Sequence, residues 1–156
     1  MRLLPLLVLA LAWSLCLCNH IRCKDPSEEN LRTKLLRLAP DAKLLLNTQD
    51  IIPDQERKKC PRNVNHTSEL IQDRSISPWS YSINEDLNRY PQRIIEAYCL
   101  CKGCISTHNK QQNSVVSEPF YKKVHILMRS SKCKKGRFVY KLREIKIAQF
   151  CICRFN

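Results

Sequence analysis

The chain is 156 residues long with ten cysteines and two glycines, and its 27 Lys and Arg outnumber 14 Asp and Glu to give a formal charge of +13. A chain of this length holds one compact domain plus a tail, and its cysteine density points to a small fold held by covalent bridges rather than by a large apolar core. The positive charge selects acidic partners, but no helix-turn-helix or RNA-binding aromatic signature accompanies it, which argues against nucleic acid.

In chain order, Arg2 precedes an apolar run from Leu3 to Leu17, with Cys16 and Cys18 at the −3 and −1 positions of a cleavage after Cys18. This is the pattern of a secretory signal peptide. The run is roughly fifteen residues against the ~20 needed to span a bilayer, and no later stretch approaches that length. Residues 1–18 are therefore expected to be removed, with the product secreted into the extracellular space and no membrane insertion. Eight cysteines then remain, an even number, as complete pairing in an oxidising setting requires.

Residues 19–59 read as an N-terminal arm with nine basic and seven acidic side chains. Asp25-Pro26-Ser27-Glu28 predicts a helix start, with Asp25 as cap, Pro26 at the first position and Glu28 closing a capping box. Leu31, Leu35 and Leu38 then share a face until Pro40 interrupts. Leu44 to Leu46 form a second cluster before the polar stretch Asn47 to Lys59, read as a loose connection. Arg57-Lys58-Lys59 is a candidate processing site, although a solvated charge run is the more economical reading.

From Cys60 to the end of the chain at residue 156 the pattern is that of an all-β domain. Trp79 to Ile83 alternates with period two. Asn84 to Pro91 is a turn-rich connection, Ile94 to Leu100 the next strand, and Ser106 to Ser117 a polar loop expected to be mobile. Phe120 to Arg129 carries Val124, Ile126 and Met128 on one side. Phe138 to Phe150 returns after Lys134-Lys135-Gly136-Arg137, where Gly136 supplies the positive φ of a tight turn. Phe138, Tyr140 and Leu142 share one parity, whereas Ile145 and Ile147 fall on the other. That shift predicts a bulge near Arg143 or Glu144, or burial of both faces by a partner chain. Residues 122–154 hold eleven Lys or Arg against the single acid Glu144, so nearly all the excess charge lies here.

Cys101-Lys102-Gly103-Cys104 is formally a C-x-x-C, but neither the strand-to-helix setting of a redox motif nor the paired knuckles of a zinc site accompany it. Cys99 and Cys104 at a strand end fit a disulfide framework better, with the side-by-side thiols of Cys151-Ile152-Cys153 as partners. His20, His66, His108 and His125 form no ligand or triad pattern. With no nucleophile elbow, P-loop or paired carboxylates either, the chain is expected to be no enzyme, with no cofactor and no metal. Asn65-His66-Thr67 is a glycosylation acceptor motif on a polar segment.

Taken together, Arg74-Ser75-Ile76-Ser77-Pro78-Trp79-Ser80-Tyr81, Asp86-Leu87-Asn88-Arg89-Tyr90-Pro91, Glu96-Ala97-Tyr98-Cys99-Leu100-Cys101-Lys102-Gly103-Cys104 and the terminal Cys151-Ile152-Cys153 resemble the interleukin-17 cytokine family. The resemblance covers residues 60–156. The Cys-Leu-Cys-x-Gly-Cys form looks closest to the B, D and E branch, and Glu-Ala-Tyr-Cys-Leu-Cys leans toward D. It implies a cystine-knot-like antiparallel fold that lacks one bridge of the true knot, working as a disulfide-linked homodimer that engages interleukin-17 receptor ectodomains and triggers inflammatory signalling. By matching positions it implies Cys99 paired with Cys151 and Cys104 with Cys153, with Cys60 and Cys133 as candidates for bridges between subunits. Cys23 and Cys101 stay open to pairing with each other, bridging subunits or remaining free. The family usually has glycine before the final Cys-x-Cys, where this chain has Phe150.

A ligand of this kind does no chemistry, since a rigid dimer gains avidity by presenting paired surfaces. The candidate receptor contacts are the aromatic residues Trp79, Tyr81 and Tyr90, the loop side chains Asn84, Glu85, Asp86 and Arg89, and the basic hairpin with Lys132, Lys134, Lys135 and Arg137. Burial in the core competes with interface use for each aromatic, Tyr98 included. The charge also supports a different reading, a cationic heparin-binding or antimicrobial defence protein, and makes heparan sulfate a candidate partner.

Overall fold

The computed structural model describes residues 23–47, 58–105 and 111–155. The leader at 1–18, His20, Arg57 and the part of the polar loop that holds His108 lie outside the described residues. Among the described residues two helices come first, α1 (Glu28–Leu38) and α2 (Ala42–Asn47), followed by a 3-10 turn at Ile71–Arg74. Six strands follow: β1 (Trp79–Glu85), β2 (Arg89–Tyr90), β3 (Arg93–Cys99), β4 (Gly103–Ile105), β5 (Gln111–Lys134) and β6 (Arg137–Phe155). The fold is all-β and antiparallel with a short helical arm, the cystine-knot-like class expected from the sequence.

The long ribbon of β5 and β6 is the spine. Its turn places Lys135 at φ 50° and Gly136 at φ 73°. Both central residues are left-handed, the geometry whose twist matches that of paired strands. Pairing then runs unbroken from Arg129 opposite Tyr140 to Tyr121 opposite Ala148. No bulge occurs at Arg143 or Glu144; the register shifts instead at Gln149, between the Phe120–Phe150 and Tyr121–Ala148 pairs, and nearer the turn between Arg129 and Cys133.

The change of parity in β6 has another cause, which is that the chain covers both faces of its own ribbon. On one face Leu127, Tyr140, Phe138 and Leu142 pack with Leu31 and Leu35 of α1 and with Tyr90. On the other, Ile126, Ile147, Val124, Met128 and Ile145 pack with Ile94 of β3 and Leu45 of α2. Ile126 and Leu127 are adjacent and both 0% exposed, which only a doubly covered strand permits. Burying each such side chain is worth roughly 1.5–3 kcal/mol.

The arm reaches its face by adding Lys24 to the edge of the ribbon as a single-residue strand, one parallel bridge opposite Arg137. Lys24 N–H donates to the Gly136 carbonyl at 3.0 Å, and the Phe138 N–H donates to the Lys24 carbonyl at 3.0 Å. This draws Asp25 onto the ribbon, where its carboxylate accepts the Tyr140 hydroxyl at 2.8 Å and the Arg129 guanidinium at 3.1 Å. Asp25 is therefore no helix cap; Ser27 holds that position, with no side-chain bond. Leu31 and Leu35 face inward as expected, but Leu38 is 46% exposed and Ala39 takes the next buried place. The Leu44–Leu46 cluster forms α2, a helix the leucine pattern alone did not reveal.

β1 and β3 pair from Trp79 opposite Cys99 to Glu85 opposite Arg93. β2 and β4 pair with opposite parts of β5, so residues 111–117 are strand rather than loop. Four disulfides join the eight described cysteines. Cys99–Cys151 and Cys104–Cys153, with Cα atoms 5.7 and 6.1 Å apart, close a covalent ring from two strand ends. Cys60 and Cys133, expected as links between subunits, instead bond within the chain. Cys60 joins Cys101, which sits buried between the two ring cysteines, and Cys133 joins Cys23, which the added strand brings beside the hairpin.

Burial, followed by the bond to Asp25, pushes the Tyr140 hydroxyl up to about 12. A group whose folded value is raised gives its full stability below the unfolded value, near 10 for tyrosine, and loses it as pH rises through about 12. Urea unfolding across pH 9–12 should therefore show stability falling above pH 10. Tyr140→Phe should flatten that fall and cost about 1 kcal/mol at neutral pH; an unchanged alkaline slope would contradict the assignment.

Candidate functional site

The disulfide ring fixes the end of β6 against β3 and β4, and an aromatic shelf is built on that anchored end. Trp79 opens β1 directly opposite Cys99, and its indole Nε1 donates to the Tyr81 hydroxyl at 3.0 Å. Phe120 and Phe150 face each other across β5 and β6 with ring centroids 4.8 Å apart, stacked. Trp79 lies 6.0 Å from Phe150 in a tilted arrangement. Pairs of this kind add about 0.5–1.5 kcal/mol beyond the area they bury. Phe150, where glycine was expected, thus joins an aromatic cluster.

The shelf is open on one side. Trp79 is only 8% exposed, but Phe120 is 45% and Ile71, from the 3-10 turn, 67% exposed. Leu70, Ile71, Trp79, Tyr81, Phe120 and Phe150 line a cavity of about 780 Å³. Tyr121 and Ile76 add exposed apolar surface in the same sequence segments. A contiguous apolar surface of this kind marks a place where another molecule is covered.

The Asn84–Pro91 connection is organised from inside by Arg89. Its guanidinium donates to the carbonyls of Asn84 at 2.7 Å, Pro91 at 3.1 Å and Gln92 at 3.1 Å, and to the Asn84 side-chain oxygen at 2.8 Å. Burial pushes the Arg89 value down, and the nearby charges of Asp86 and Glu96 oppose that. Asp86 caps the turn by accepting the Asn88 N–H at 2.8 Å.

Of the expected contact residues, Trp79, Arg89 and Tyr90 are therefore interior. They shape the surface from inside, and Trp79 also lines the shelf cavity. Tyr81, Asn84 and Asp86 are half-buried, and Glu85 is exposed. Lys132, Lys134, Lys135 and Arg137 are exposed at the ribbon's tip. The loop and the ribbon are joined by a residue the sequence reading passed over. Arg129 donates to the Asn88 side chain and to Asp25, and its guanidinium lies 4.8 Å from the centre of the Phe138 ring. No local pattern singles out Arg129. Phe120 and Phe150, however, stand nearly equidistant from the Lys135-Gly136 turn, a symmetry that places them opposite each other.

Comparison with known proteins gives a family model described as Interleukin-17, which matches residues 75–155. The chain is 40% identical to interleukin-17D of Homo sapiens over 81 residues, covering 51% of this chain and 40% of that protein. It is 43% identical to interleukin-17B of Mus musculus over 74 residues, 47% of this chain and 40% of the relative. With interleukin-17F of Rattus norvegicus it shares 33% over 82 residues, 53% and 51% of the two chains. These matches span about half of each relative's length or less.

Removing the Arg89 guanidinium would take a donor from three backbone carbonyls, of which Gln92 keeps the Asp86 N–H. Arg89→Ala is expected to cost about 3 kcal/mol or more in urea unfolding. Glu85→Ala, on the exposed side of the same hairpin, should stay within about 0.5 kcal/mol. Equal effects from the two would contradict an internal role for Arg89.

Proposed function

This chain belongs to the interleukin-17 family, and from that premise we propose that it is a secreted cytokine whose homodimer brings receptor ectodomains of the interleukin-17 receptor family together and triggers immune signalling. The family is one of cytokines, which are not enzymes. The observation that carries the proposal is that the family match, residues 75–155, coincides with the ring, the ribbon and most of the aromatic shelf. Complete pairing of the eight described cysteines supports an oxidising, extracellular setting. Among the described residues no helix is long and apolar enough to cross a membrane.

The shelf, apolar and aromatic, fits permanent contact between two copies, because obligate interfaces resemble a core cut in half. The more polar loop around Glu85 and Asp86 fits a partner that comes and goes. Asn65, exposed in a turn, is the candidate glycan acceptor. Its side-chain oxygen accepts the Thr67 hydroxyl at 2.9 Å, which leaves the amide nitrogen outside that contact.

With eight cysteines bonded within the chain, the dimer is noncovalent. Light scattering should give twice the single-chain mass, while nonreducing electrophoresis gives the single-chain mass, shifted by a glycan that Asn65→Gln removes. Phe120→Asp should halve the native mass with the circular dichroism unchanged. The dimer should bind saturably to a member of a panel of interleukin-17 receptor ectodomains. A monomer in solution, or no ectodomain bound by correctly oxidised protein, would contradict the proposal.

A further inference from the structure

The tip of the ribbon concentrates positive charge in a way the strand sequence alone does not show. Lys132, Lys134, Lys135 and Arg137 project from the turn and are exposed. Lys24, from the other end of the described chain, is locked beside Arg137 by two backbone hydrogen bonds, and the Cys23–Cys133 bridge makes that junction covalent. Lys34 approaches from α1, its Nζ donating to the Tyr140 carbonyl at 2.5 Å. Six cations from three separate segments thus share one braced structure.

A groove of about 470 Å³ runs between α1 and the tip, where Lys34, Lys134, Lys135 and Arg137 share the lining with Asn30 and with the rings and apolar chains of Pro26, Leu31, Phe138, Val139 and Tyr140. No carboxylate is among its lining residues. Asp25, the acid nearest in sequence, is already engaged by Arg129 and Tyr140. Among the described residues none of Lys24, Lys132, Lys134, Lys135 or Arg137 forms an ion pair with an acidic side chain. The charges repel one another, and the disulfide and the added strand hold them together, so an incoming polyanion meets donors already in place.

We propose that this groove and tip bind a sulfated polysaccharide, with sulfate groups seated among Lys34, Lys134, Lys135 and Arg137. Two features favour that class over a nucleic acid strand. The tip offers no exposed ring for base stacking, since Phe138 is half-buried beside the Arg129 guanidinium. The cations are also spread along an open groove, which fits a chain carrying repeated sulfates. The choice of an extracellular polymer rests on the secretion reading above. The proposal moves Lys132, Lys134, Lys135 and Arg137 from receptor contact to polysaccharide contact, so the receptor and polysaccharide surfaces are separable.

The test uses the full oxidised protein on immobilised heparin at near-physiological salt, alongside desulfated heparin and single-stranded DNA. The triple variant Lys34→Gln, Lys134→Gln, Arg137→Gln is compared with an equal loss of charge elsewhere on the ribbon, Lys122→Gln, Lys141→Gln, Lys146→Gln. The first is expected to weaken heparin binding by about tenfold or more and the second by less than about threefold. Wild-type protein should lose most of its binding when sulfates are removed from the polymer, and DNA should bind more weakly than heparin. Equal losses from the two triples, or DNA binding as tight as heparin binding, would overturn the proposal. Receptor binding measured on the same variants separates the two readings, because the tip variant is expected to keep it whatever happens to heparin.

Discussion

The crosslinks Cys99–Cys151 and Cys104–Cys153 carry a mechanical burden that no other contact in the chain can take up. Each spans about fifty residues of intervening sequence, and in the chain-entropy account closing a loop of that length removes about 4 kcal/mol of unfolded-state freedom. Together they pin the far end of a very long ribbon, whose other end is a two-residue turn. Without the ring, β6 past Gln149 would keep its pairing to β5 and its packing on Trp79 and Ala97 but no covalent link to β3 or β4, so the stacked Phe120 and Phe150 would be less firmly held against Trp79.

The second pair of bridges works differently. Cys60–Cys101 ties the segment before the strands to the stretch between the two ring cysteines, and Cys23–Cys133 ties the arm to the ribbon's tip. The arm is thereby converted from a tail into a cover for one face of the sheet, with Leu31 and Leu35 meeting Leu127 and Tyr140. The other face is closed by β3 through Ile94. A small domain in which the chain covers its own ribbon on both sides leaves its apolar surplus at the aromatic shelf and its charge at the tip, which is why those two surfaces are distinct.

Much of this was legible in the residues. The alternation at Trp79 to Ile83 and the Lys134 to Arg137 turn are local signals, and local signals survive without a fold. What escaped depends on contacts between distant segments. The parity shift at Ile145 is real, but a bulge and a doubly covered strand write the same pattern, and only the position of α1 distinguishes them. Asp25 looks like a cap because Pro26 and Glu28 follow it, yet Lys24 pairing with Arg137 of the hairpin, beside a Cys23–Cys133 bridge that spans 110 residues, redirects its carboxylate. Arg89 reads as a surface cation until the three carbonyls it serves are brought around it. The family resemblance located the ring cysteines in the sequence, while the pairs Cys60–Cys101 and Cys23–Cys133 each have one member, Cys60 and Cys23, outside the matched segment.

The most direct measurement is disulfide mapping of the native, unreduced protein by tandem mass spectrometry, with cleavage at Lys102 separating Cys99 and Cys101 from Cys104. The account predicts Cys99 linked to Cys151, Cys104 to Cys153, Cys101 to Cys60 and Cys133 to Cys23 of the same chain. Free thiols at the ring positions, or the crossed pairs Cys99–Cys153 and Cys104–Cys151, would contradict it.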